Sequence, residues 1–448
     1  MMWKEVEQME KFDHRKGIVL YGTGLEGEKF FSRLKNNEEV VYCIDRRIRN
    51  EAFHGRQVFQ LEEKEQELKD YLLVVAAATN AWQEIRAALL HRGLKEYSDF
   101  INAEAFWKKI AVVYGNCHMQ GLCEYLQLNY FFKKEYYISF HYIGEYKCPD
   151  CAELEACDIL ITQDIRKDNG FHMPDADTLC GQVRKDAQKI VLPNLYGCNL
   201  FFPQCYAPSD NQVRRHLEAD AIDSGTQDAM KAQRIRVTVE SIGKRDSHID
   251  ECCRNGYSVK KIKEHILGGA VWEAEEIRRN FSEQLQQLKE REKKCDIVIS
   301  DYIEKFYQQI QLFYEPYHPT EAVIAEKGRR ILELLQLPQD EEIPMSKSMG
   351  AMEMPIYGCV KEALGLRFEQ KVLRRACAAT LKNQPESLEE YIQNYLVWVW
   401  GSGVSVMPFG SHFRIFPLIC FHLPIYFLSL QAIHLIFLRK KAANLSRE

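Results

Sequence analysis

Two apolar runs in this chain each stop at a glycine, and this feature constrains the fold more than any other. The first run covers residues 17–21 and ends at Gly22, and the second covers residues 110–114 and ends at Gly115. A short apolar run is typical of a strand buried on both faces of a parallel sheet, and apolar residues at helical spacing follow each glycine. The sequence therefore predicts an α/β protein in which a small domain with a parallel sheet precedes a larger, helix-rich α/β domain.

The same pattern sets the predicted domain boundaries. Residues 1–108 hold the first unit, residues 109–400 hold the second, and residues 401–448 form a hydrophobic tail. A long surface helix is expected within the charged stretch 269–294. Further strands are expected at 40–44, 72–77, 158–162 and 189–193.

The tail contains one segment that suits a membrane. Residues 415–438 carry no formally charged residue, and three basic residues follow directly. This length could cross a bilayer, but Pro417 and Pro424 would break a spanning helix. We expect peripheral contact with the inner face of the membrane, or docking on the protein itself, and leave a spanning helix open as the alternative. In either membrane case the basic end would lie on the cytoplasmic side.

Charge and cysteine content indicate the compartment and exclude some partners. The formal net charge of −5 is spread along the chain, so nucleic acid is not an expected partner. The 15 cysteines, an odd number, and the lack of a secretory pattern at the N-terminus favour the reducing cytoplasm. Cys148 and Cys151 have the spacing of half a zinc site, but no second pair completes four ligands, and no metal is expected.

The first glycine turn has the residues of a dinucleotide-type loop. Gly22, Gly24 and Gly27 lie between a predicted strand and a predicted helix, and Asp45 ends the next strand. The glycines allow backbone N–H groups to approach a pyrophosphate at the start of the helix, while the carboxylate can bind a ribose hydroxyl. The stretch resembles the small Rossmann-like module that binds nucleotides or sugar nucleotides and occurs fused to polysaccharide-modifying enzymes. Retained ligand binding and a purely structural remnant of such a loop are both open.

The second glycine turn places a thiol where a sheet meets a helix. Cys117 follows the strand predicted at 110–114 and opens a helix, so its sulfur should lie at the carboxyl end of the sheet beside unpaired backbone N–H groups. This position favours thiolate over thiol, and the N–H groups could stabilise an oxyanion. Gly115 would leave space for a substrate carbonyl, and Asn116 would add a donor or fix the turn. The alternative is a small residue that only starts a helix.

A histidine far along the chain is the candidate partner of this thiol. His318 lies on a predicted loop between two prolines, and Glu315 stands three residues earlier. Imidazole and carboxylate are the base and the orienting group of many nucleophilic sites. His118 is nearer to Cys117 in sequence, but its side chain begins on another side of the helix.

Ordered motifs through the second unit resemble the WcbI-type family of polysaccharide biosynthesis proteins. The matching stretches are 113–121, 158–163, 192–194, 202–204, 291–292, 296–302, 312–314, 318–320, 355–357 and 364–366. The resemblance covers residues 109–400 and implies a coenzyme A-binding acetyltransferase of capsule assembly. The opening stretch also resembles the glycine-aspartate-serine start of SGNH-type hydrolases, with Asn116 and Cys117 in place of aspartate and serine.

Carried over by position, the resemblance assigns roles to individual residues. It implies Cys117 as the nucleophile or thioester-facing group and His318, with Glu315, as the base. The candidate donors to an oxyanion or ligand are Gly115, Asn116, His118, Gln163 and Asn194, and Arg291 is a candidate contact for coenzyme A phosphates. The family usually has glutamine where His118 stands and asparagine where Tyr317 stands.

The resemblance, together with the thiol and imidazole, implies an acyl transfer reaction on a saccharide. The expected reaction moves an acetyl group from acetyl-coenzyme A to a hydroxyl of a capsular or other cell-surface polysaccharide, or of its precursor. The saccharide acceptor and the polysaccharide biosynthesis machinery are the expected partners. Transfer through an acyl-Cys117 intermediate and direct transfer with His318 as base are both open. Two rival functions are an SGNH-like esterase or deacetylase on the same polymer and a non-catalytic scaffold that binds a nucleotide sugar.

Overall fold

The structure is a computed structural model of the chain. It describes residues 17–34, 39–48, 50–145, 148–167, 173–195, 199–206, 245–340, 343–345, 352–370, 373 and 386–400. The predicted tail at 401–448, with its uncharged segment 415–438, lies outside the described residues. Of the helices within the described ranges, none is long and apolar enough to cross a membrane.

The first sheet has six strands. They are β1 (Ile18–Tyr21), β2 (Val40–Ile44), β3 (Ala52–Phe53), β4 (Arg56–Phe59), β5 (Leu72–Val75) and β6 (Phe100–Asn102). Their spatial order is β3-β4-β2-β1-β5-β6, and each neighbouring pair is parallel except β3 with β4. The helices of this unit are α1 (Leu25–Arg33), α2 (Leu61–Lys64), α3 (Thr79–His91) and α4 (Ala103–Trp107). Because β1 lies between β2 and β5, the glycine turn after β1 lies where the strand order changes direction.

The second sheet has four parallel strands. They are β7 (Lys109–Gly115), β8 (Tyr136–Tyr142), β9 (Ile159–Gln163) and β10 (Gln188–Leu192), in the order β10-β9-β7-β8. The helices that accompany them are α5 (Cys117–Leu128), α6 (Tyr130–Glu135), α7 (Cys151–Ala156) and α8 (Ala176–Gln182). Since β7 and β9 are neighbours and run in parallel, the start of α5 lies beside the carboxyl end of β9.

Helices and two short antiparallel pairs make up the rest of the described chain. The pairs are β11 (Cys205–Tyr206) with β12 (Arg245–Asp246), and β13 (Phe313–Glu315) with β14 (His318–Pro319). The helices are α9 (Ser247–Arg254), α10 (Val259–Gly268), α11 (Ala274–Glu292), α12 (Ser300–Phe306), α13 (Glu321–Leu334), α14 (Gly358–Leu364) and α15 (Leu388–Trp400). The second pair forms a hairpin that ends at the start of α13.

Apolar contacts connect these elements through several cores. One hydrophobic cluster joins the two sheets, since Ile18 of β1 and Val112 of β7 both belong to it. Another packs α5 and α13 on the second sheet, and a third holds the helical part from α9 to α15 together. Gly328 of α13 lies so close to α5 that an added Cβ would be 2.1 Å from the Tyr125 ring. The helix that carries Cys117 and the helix that follows His318 are therefore in tight contact.

The predicted fold class, α/β with parallel sheets, is confirmed. The four further strands that the sequence predicts each lie within two residues of an observed strand. The surface helix expected within 269–294 is α11, which also buries Ile277, Phe281 and Leu288 in the helical core. The division of the chain at residue 108 stays a prediction.

Candidate active site

The turn after β7 presents Cys117 as the first residue of α5. Asn116 is the N-cap of this helix, and its Oδ1 accepts a hydrogen bond from the His118 N–H at 3.0 Å. The N–H of Asn116 in turn donates to Oε1 of Gln163, at the end of β9, at 2.9 Å. Two hydrogen bonds thus fix Asn116, the residue before the thiol. Because Cys117 lies in the first turn of α5, its thiol is close to the partial positive charge of the helix N-terminus.

Gly115 is needed for close packing below the thiol. A Cβ on this residue would lie 2.5 Å from Cγ of Met119 and 2.6 Å from Oε1 of Gln163. Space beside Gly115 for a substrate carbonyl stays a prediction, and the place that a Cβ would take is filled by side chains of the protein. The reason is that the Gln163 side chain, which is fully buried, has to reach the backbone of Asn116.

The imidazole of His318 is held by a buried carboxylate. Glu315 ends β13, is 0% exposed, and its Oε1 lies 2.5 Å from Nδ1 of His318 in β14. The other oxygen, Oε2, accepts the Tyr317 N–H at 3.0 Å. Both oxygens of the Glu315 carboxylate therefore contact groups of the β13–β14 hairpin. Because Nδ1 of His318 contacts the carboxylate, Nε2 is the ring nitrogen that can contact another partner.

Nε2 of His318 lies 3.2 Å from Sγ of Cys117, although 201 residues separate the two. The thiol is half-buried, and the His318 side chain is 25% exposed, so a ligand can reach the pair. The prediction that this thiol and this imidazole face each other is confirmed. A thiol, an imidazole and a carboxylate in series form an arrangement that can activate sulfur as a nucleophile.

His118 lies near this series but has another contact. Its side chain is 1% exposed, and its Nε2 lies 2.6 Å from the carbonyl oxygen of Tyr317. Since a carbonyl only accepts, Nε2 carries the proton and donates it. The rings of His118 and His318 are 6.1 Å apart. The structure therefore bonds the His118 side chain to the hairpin that carries His318.

Asn194 and Lys327 complete the surroundings of the turn. Oδ1 of Asn194, which follows β10, accepts from Nδ2 of Asn116 at 3.4 Å. Nζ of Lys327 in α13 donates to the carbonyl of Pro193 at 2.9 Å, and this lysine is 1% exposed. Sequence reasoning missed Lys327, although a lysine among the apolar positions of α13 was the available signal.

The candidate Arg291 and two further arginines, Arg329 and Arg330, lie on helices. Arg291 is half-buried in the last turn of α11, and its role toward coenzyme A phosphates stays a prediction. Arg329 contacts Glu326 at 2.7 Å, and Arg330 contacts Asp301 at 2.8 Å. These two guanidinium groups are therefore bound to carboxylates of the protein.

The glycine loop of the first sheet is formed as the sequence predicts. Gly22 has φ +114°, and a Cβ on it would lie 2.3 Å from the carbonyl oxygen of Ala76. A Cβ on Gly27 would lie 2.2 Å from the carbonyl oxygen of Gly22, so only glycine allows α1 to approach the turn. Gly24 is the N-cap of α1.

Asp45 fastens this loop. Its Oδ2 accepts from the N–H of Thr23 at 2.8 Å and from the Thr23 hydroxyl at 2.7 Å, and its Oδ1 accepts from the Arg47 N–H at 2.9 Å. The carboxylate thus contacts the protein at both oxygens. Its predicted bond to a ribose hydroxyl stays a prediction.

The fold and these contacts define an α/β protein with a cysteine, a histidine and a glutamate in series at the carboxyl end of a parallel sheet. The model of a family described as polysaccharide biosynthesis enzyme WcbI matches residues 110–231 and 245–340. Across that region the chain belongs to the WcbI family of polysaccharide biosynthesis enzymes, as its motifs predict.

A solved structure of WcbI is similar to this chain. It is described as a novel polysaccharide biosynthesis enzyme, in its native form without a disulfide bond between coenzyme A and one of its cysteines. The two share 15% sequence identity with a TM-score of 0.48, over 65% of this chain and 89% of that one. A comparison with curated proteins finds no match.

Proposed function

We propose that this chain is an acetyltransferase that moves an acetyl group from acetyl-coenzyme A to a hydroxyl of a capsular or other cell-surface polysaccharide, or of its precursor. The observation that carries the proposal is the series Cys117, His318 and Glu315, with separations of 3.2 and 2.5 Å. Membership of a family of polysaccharide biosynthesis enzymes supports a saccharide as the acceptor.

A thiol nucleophile favours a thioester as the acyl donor. Exchange of an acyl group between two thiols breaks one thioester and forms another, so the bond energies nearly cancel. Cysteine is also the most nucleophilic of the neutral candidates near neutral pH. Acetyl-coenzyme A supplies such a thioester, and its thiol is the leaving group.

The first half-reaction uses the whole series. Nε2 of His318 takes the proton of the Cys117 thiol, and Sγ attacks the acetyl carbonyl carbon. The bond from this carbon to the sulfur of coenzyme A then breaks, and His318 returns the proton to the departing thiolate. The Glu315 carboxylate, 2.5 Å from Nδ1, stabilises the imidazolium in between. The products are acetyl-Cys117 and free coenzyme A.

The second half-reaction transfers the acetyl group to the saccharide. His318 takes the proton of a sugar hydroxyl, and the sugar oxygen attacks the acyl carbon. The bond to Sγ of Cys117 breaks, and the thiolate recovers its proton from His318. The same imidazole thus serves as base and acid in both halves.

The oxyanion of each step requires donors beside the sulfur. We assign this role to the backbone N–H of Cys117 at the first position of α5 and to the half-buried amide of Asn194. Gln163 and Asn116 act indirectly, because their hydrogen bond fixes the turn. Arg291 is assigned to the phosphates of coenzyme A.

The first domain would add a second ligand site at Gly22, Gly24 and Gly27. The close approach of α1 to the turn supports binding of a nucleotide or nucleotide sugar by backbone N–H groups. Such a ligand would compete with Thr23 for the Asp45 carboxylate. We place the protein in the cytoplasm at the inner face of the membrane, with the polysaccharide biosynthesis machinery as its partner.

Release of free thiol from acetyl-coenzyme A tests the proposal against its rivals. A transferase releases coenzyme A faster when an acceptor saccharide is present, and the acetyl group then appears on the saccharide. An esterase uses water as the acceptor, so it would release coenzyme A at the same rate with and without saccharide. A scaffold would release no coenzyme A. Cys117→Ala should stop this release of coenzyme A. Cys123→Ala is the matched control and should keep it, since Cys123 lies on the same helix and burial raises the pKa of its thiol.

A further inference from the structure

A group of metal-ligating side chains lies in the helical part of the chain. His248 and Cys252 lie on α9, and His265 lies on α10. One ligand atom from each of these residues lies within 4.8 Å of the other two. We propose that His248, Cys252 and His265 bind a zinc ion. The zinc proposal does not rest on the proposed acetyltransferase function. Cys252 belongs to a different hydrophobic core from α5, the helix that carries Cys117.

The two ligands on α9 already have the separation that zinc requires. Residues four apart on a helix lie on one face, one turn from each other. Nε2 of His248 lies 3.4 Å from Sγ of Cys252. Tetrahedral zinc with bonds of about 2.0–2.1 Å to nitrogen and about 2.3 Å to sulfur would separate them by about 3.6 Å.

A tight turn brings the third ligand to the same place. The N–H of Tyr257 bonds to the carbonyl of Cys252 at 2.9 Å, and Gly256 has φ +67°, so the chain reverses directly after α9. The rings of His248 and His265 then stack, with centroids 5.5 Å apart at 23°. Tetrahedral zinc would separate the ligand atoms by about 3.3–3.6 Å, so the ligand atom of His265, which lies within 4.8 Å of the other two, has to move toward them when the ion binds.

Contacts behind the ligands hold His248 in place. Asp246, which is fully buried, is the N-cap of α9 and accepts the backbone N–H of His248 at 3.1 Å. The same carboxylate accepts the hydroxyl of Tyr357 at 3.0 Å, and the Tyr357 ring lies 5.8 Å from the His248 ring. These contacts fix the start of α9 and one side of the His248 ring, so the position of this ligand does not depend on the ion.

The ligand types favour a transition metal such as zinc over a hard cation. Two imidazoles and a thiolate suit zinc, whereas magnesium and calcium prefer oxygen ligands. Cys252 is 2% exposed, and both histidines are half-buried. Three protein ligands with a partly open side leave a fourth position for water or an incoming group.

The sequence-based expectation of no metal overlooked this group. That expectation considered only pairs with zinc-finger spacing such as Cys148 and Cys151, which the structure shows as exposed thiols. His248 and Cys252 at helical spacing were the available signal. The third ligand comes from a separate helix, so no local spacing predicts it.

The test uses the full-length chain, stripped with a chelator and titrated with Zn²⁺ against a chromophoric competitor. We expect one ion per chain, with affinity lowered by more than about 100-fold in Cys252→Ala and in His265→Gln. Cys359→Ala, a thiol packed on the same core, and His91→Gln, an exposed histidine, are the controls and should bind normally. Circular dichroism of each chelated variant checks the fold, and His265→Gln, at a half-buried position, decides if Cys252→Ala does not fold.

Cobalt substitution identifies the thiol that binds. Co²⁺ bound to thiolate should give a sulfur-to-metal absorption band that is lost in Cys252→Ala and kept in Cys117→Ala. A band lost in Cys117→Ala instead would move the ion to the other thiol and overturn the proposal. A folded wild-type chain that binds no Zn²⁺, or equal binding in wild type, Cys252→Ala and His265→Gln, would overturn it as well.

Discussion

Nε2 of His118 lies 2.6 Å from the carbonyl oxygen of Tyr317, so the residue after the thiol is bonded to the residue before the imidazole. The contact joins α5 to the β13–β14 hairpin at the point where Sγ and Nε2 of His318 meet. Because both residues adjoin the reacting groups in the chain, this one hydrogen bond limits their relative motion.

Loss of the His118 contact should reduce transfer without abolishing it. His118→Leu removes the donor and leaves the Tyr317 carbonyl unpaired, and displacement of the hairpin should lower kcat by roughly 100-fold. His118→Gln keeps a donor, so most of the activity should return. Steady-state kinetics of both variants check this, with thermal midpoints to confirm folding. Equal losses in the two variants would mean that the hydrogen bond does not position the hairpin.

Loss of the Glu315 carboxylate should lower kcat more than loss of a neighbouring carboxylate. Glu315→Gln removes the charge that stabilises the His318 imidazolium, and kcat should fall by about 10²–10⁴-fold. Glu321→Gln is the control, because Glu321 is bonded to the Tyr314 hydroxyl near the same hairpin. Single-turnover release of coenzyme A measures both. Comparable rates in Glu315→Gln and wild type would exclude a role for the Glu315 charge in the reaction.

The contact between α5 and α13 should tolerate no added atom. Gly328→Ala places a Cβ 2.1 Å from the Tyr125 ring, and the overpacking should lower the free energy of unfolding by about 1–3 kcal/mol. Gly181→Ala is the matched control, since a Cβ there has no atom within 4 Å and Gly181 also lies in a helix. Denaturant titration compares the two variants. An unaffected Gly328→Ala would show that the helices are not in tight contact.

Ionisation of Glu326 should make the free energy of unfolding depend on pH. Its burial raises the pKa of the carboxyl, but hydrogen bonds from Arg329 and Arg330 outweigh burial and lower the pKa below its ordinary value. Its contribution is therefore present above the unfolded pKa of about 4.3 and is lost as the pH falls through the folded pKa.

The corresponding variant is Glu326→Gln, which should lower the free energy of unfolding at pH 7 by roughly 1–3 kcal/mol. The difference from wild type should shrink as the pH falls below about 4. Glu283→Gln, which removes an exposed partner of Arg279, should change stability by less than about 0.5 kcal/mol. A difference for Glu326→Gln that stays constant with pH would show that its charge is not involved.

The sequence predicted the parts of the fold that depend on local pattern. Buried runs gave the strands, and the glycines after β1 and β7 marked both turns, because helices approach them too closely for any side chain. Motif order also paired Cys117 with His318 across the chain. Contacts that depend on packing were not predictable, such as the side chains that approach Gly115 and the bond from buried Lys327 to the carbonyl of Pro193. The ligand group on α9 and α10 forms only when two helices meet.

Trapping of the acyl group on the protein is the most direct test of the central claim. The full-length chain is mixed with acetyl-coenzyme A without acceptor saccharide, and the reaction is quenched in acid. The chain is then digested, and mass spectrometry measures the mass of the peptide that carries Cys117. The account predicts one acetyl group on this peptide, formed as coenzyme A is released and lost again when acceptor saccharide is added. A Cys117→Ala chain that transfers acetyl groups to the saccharide at the wild-type rate would contradict it.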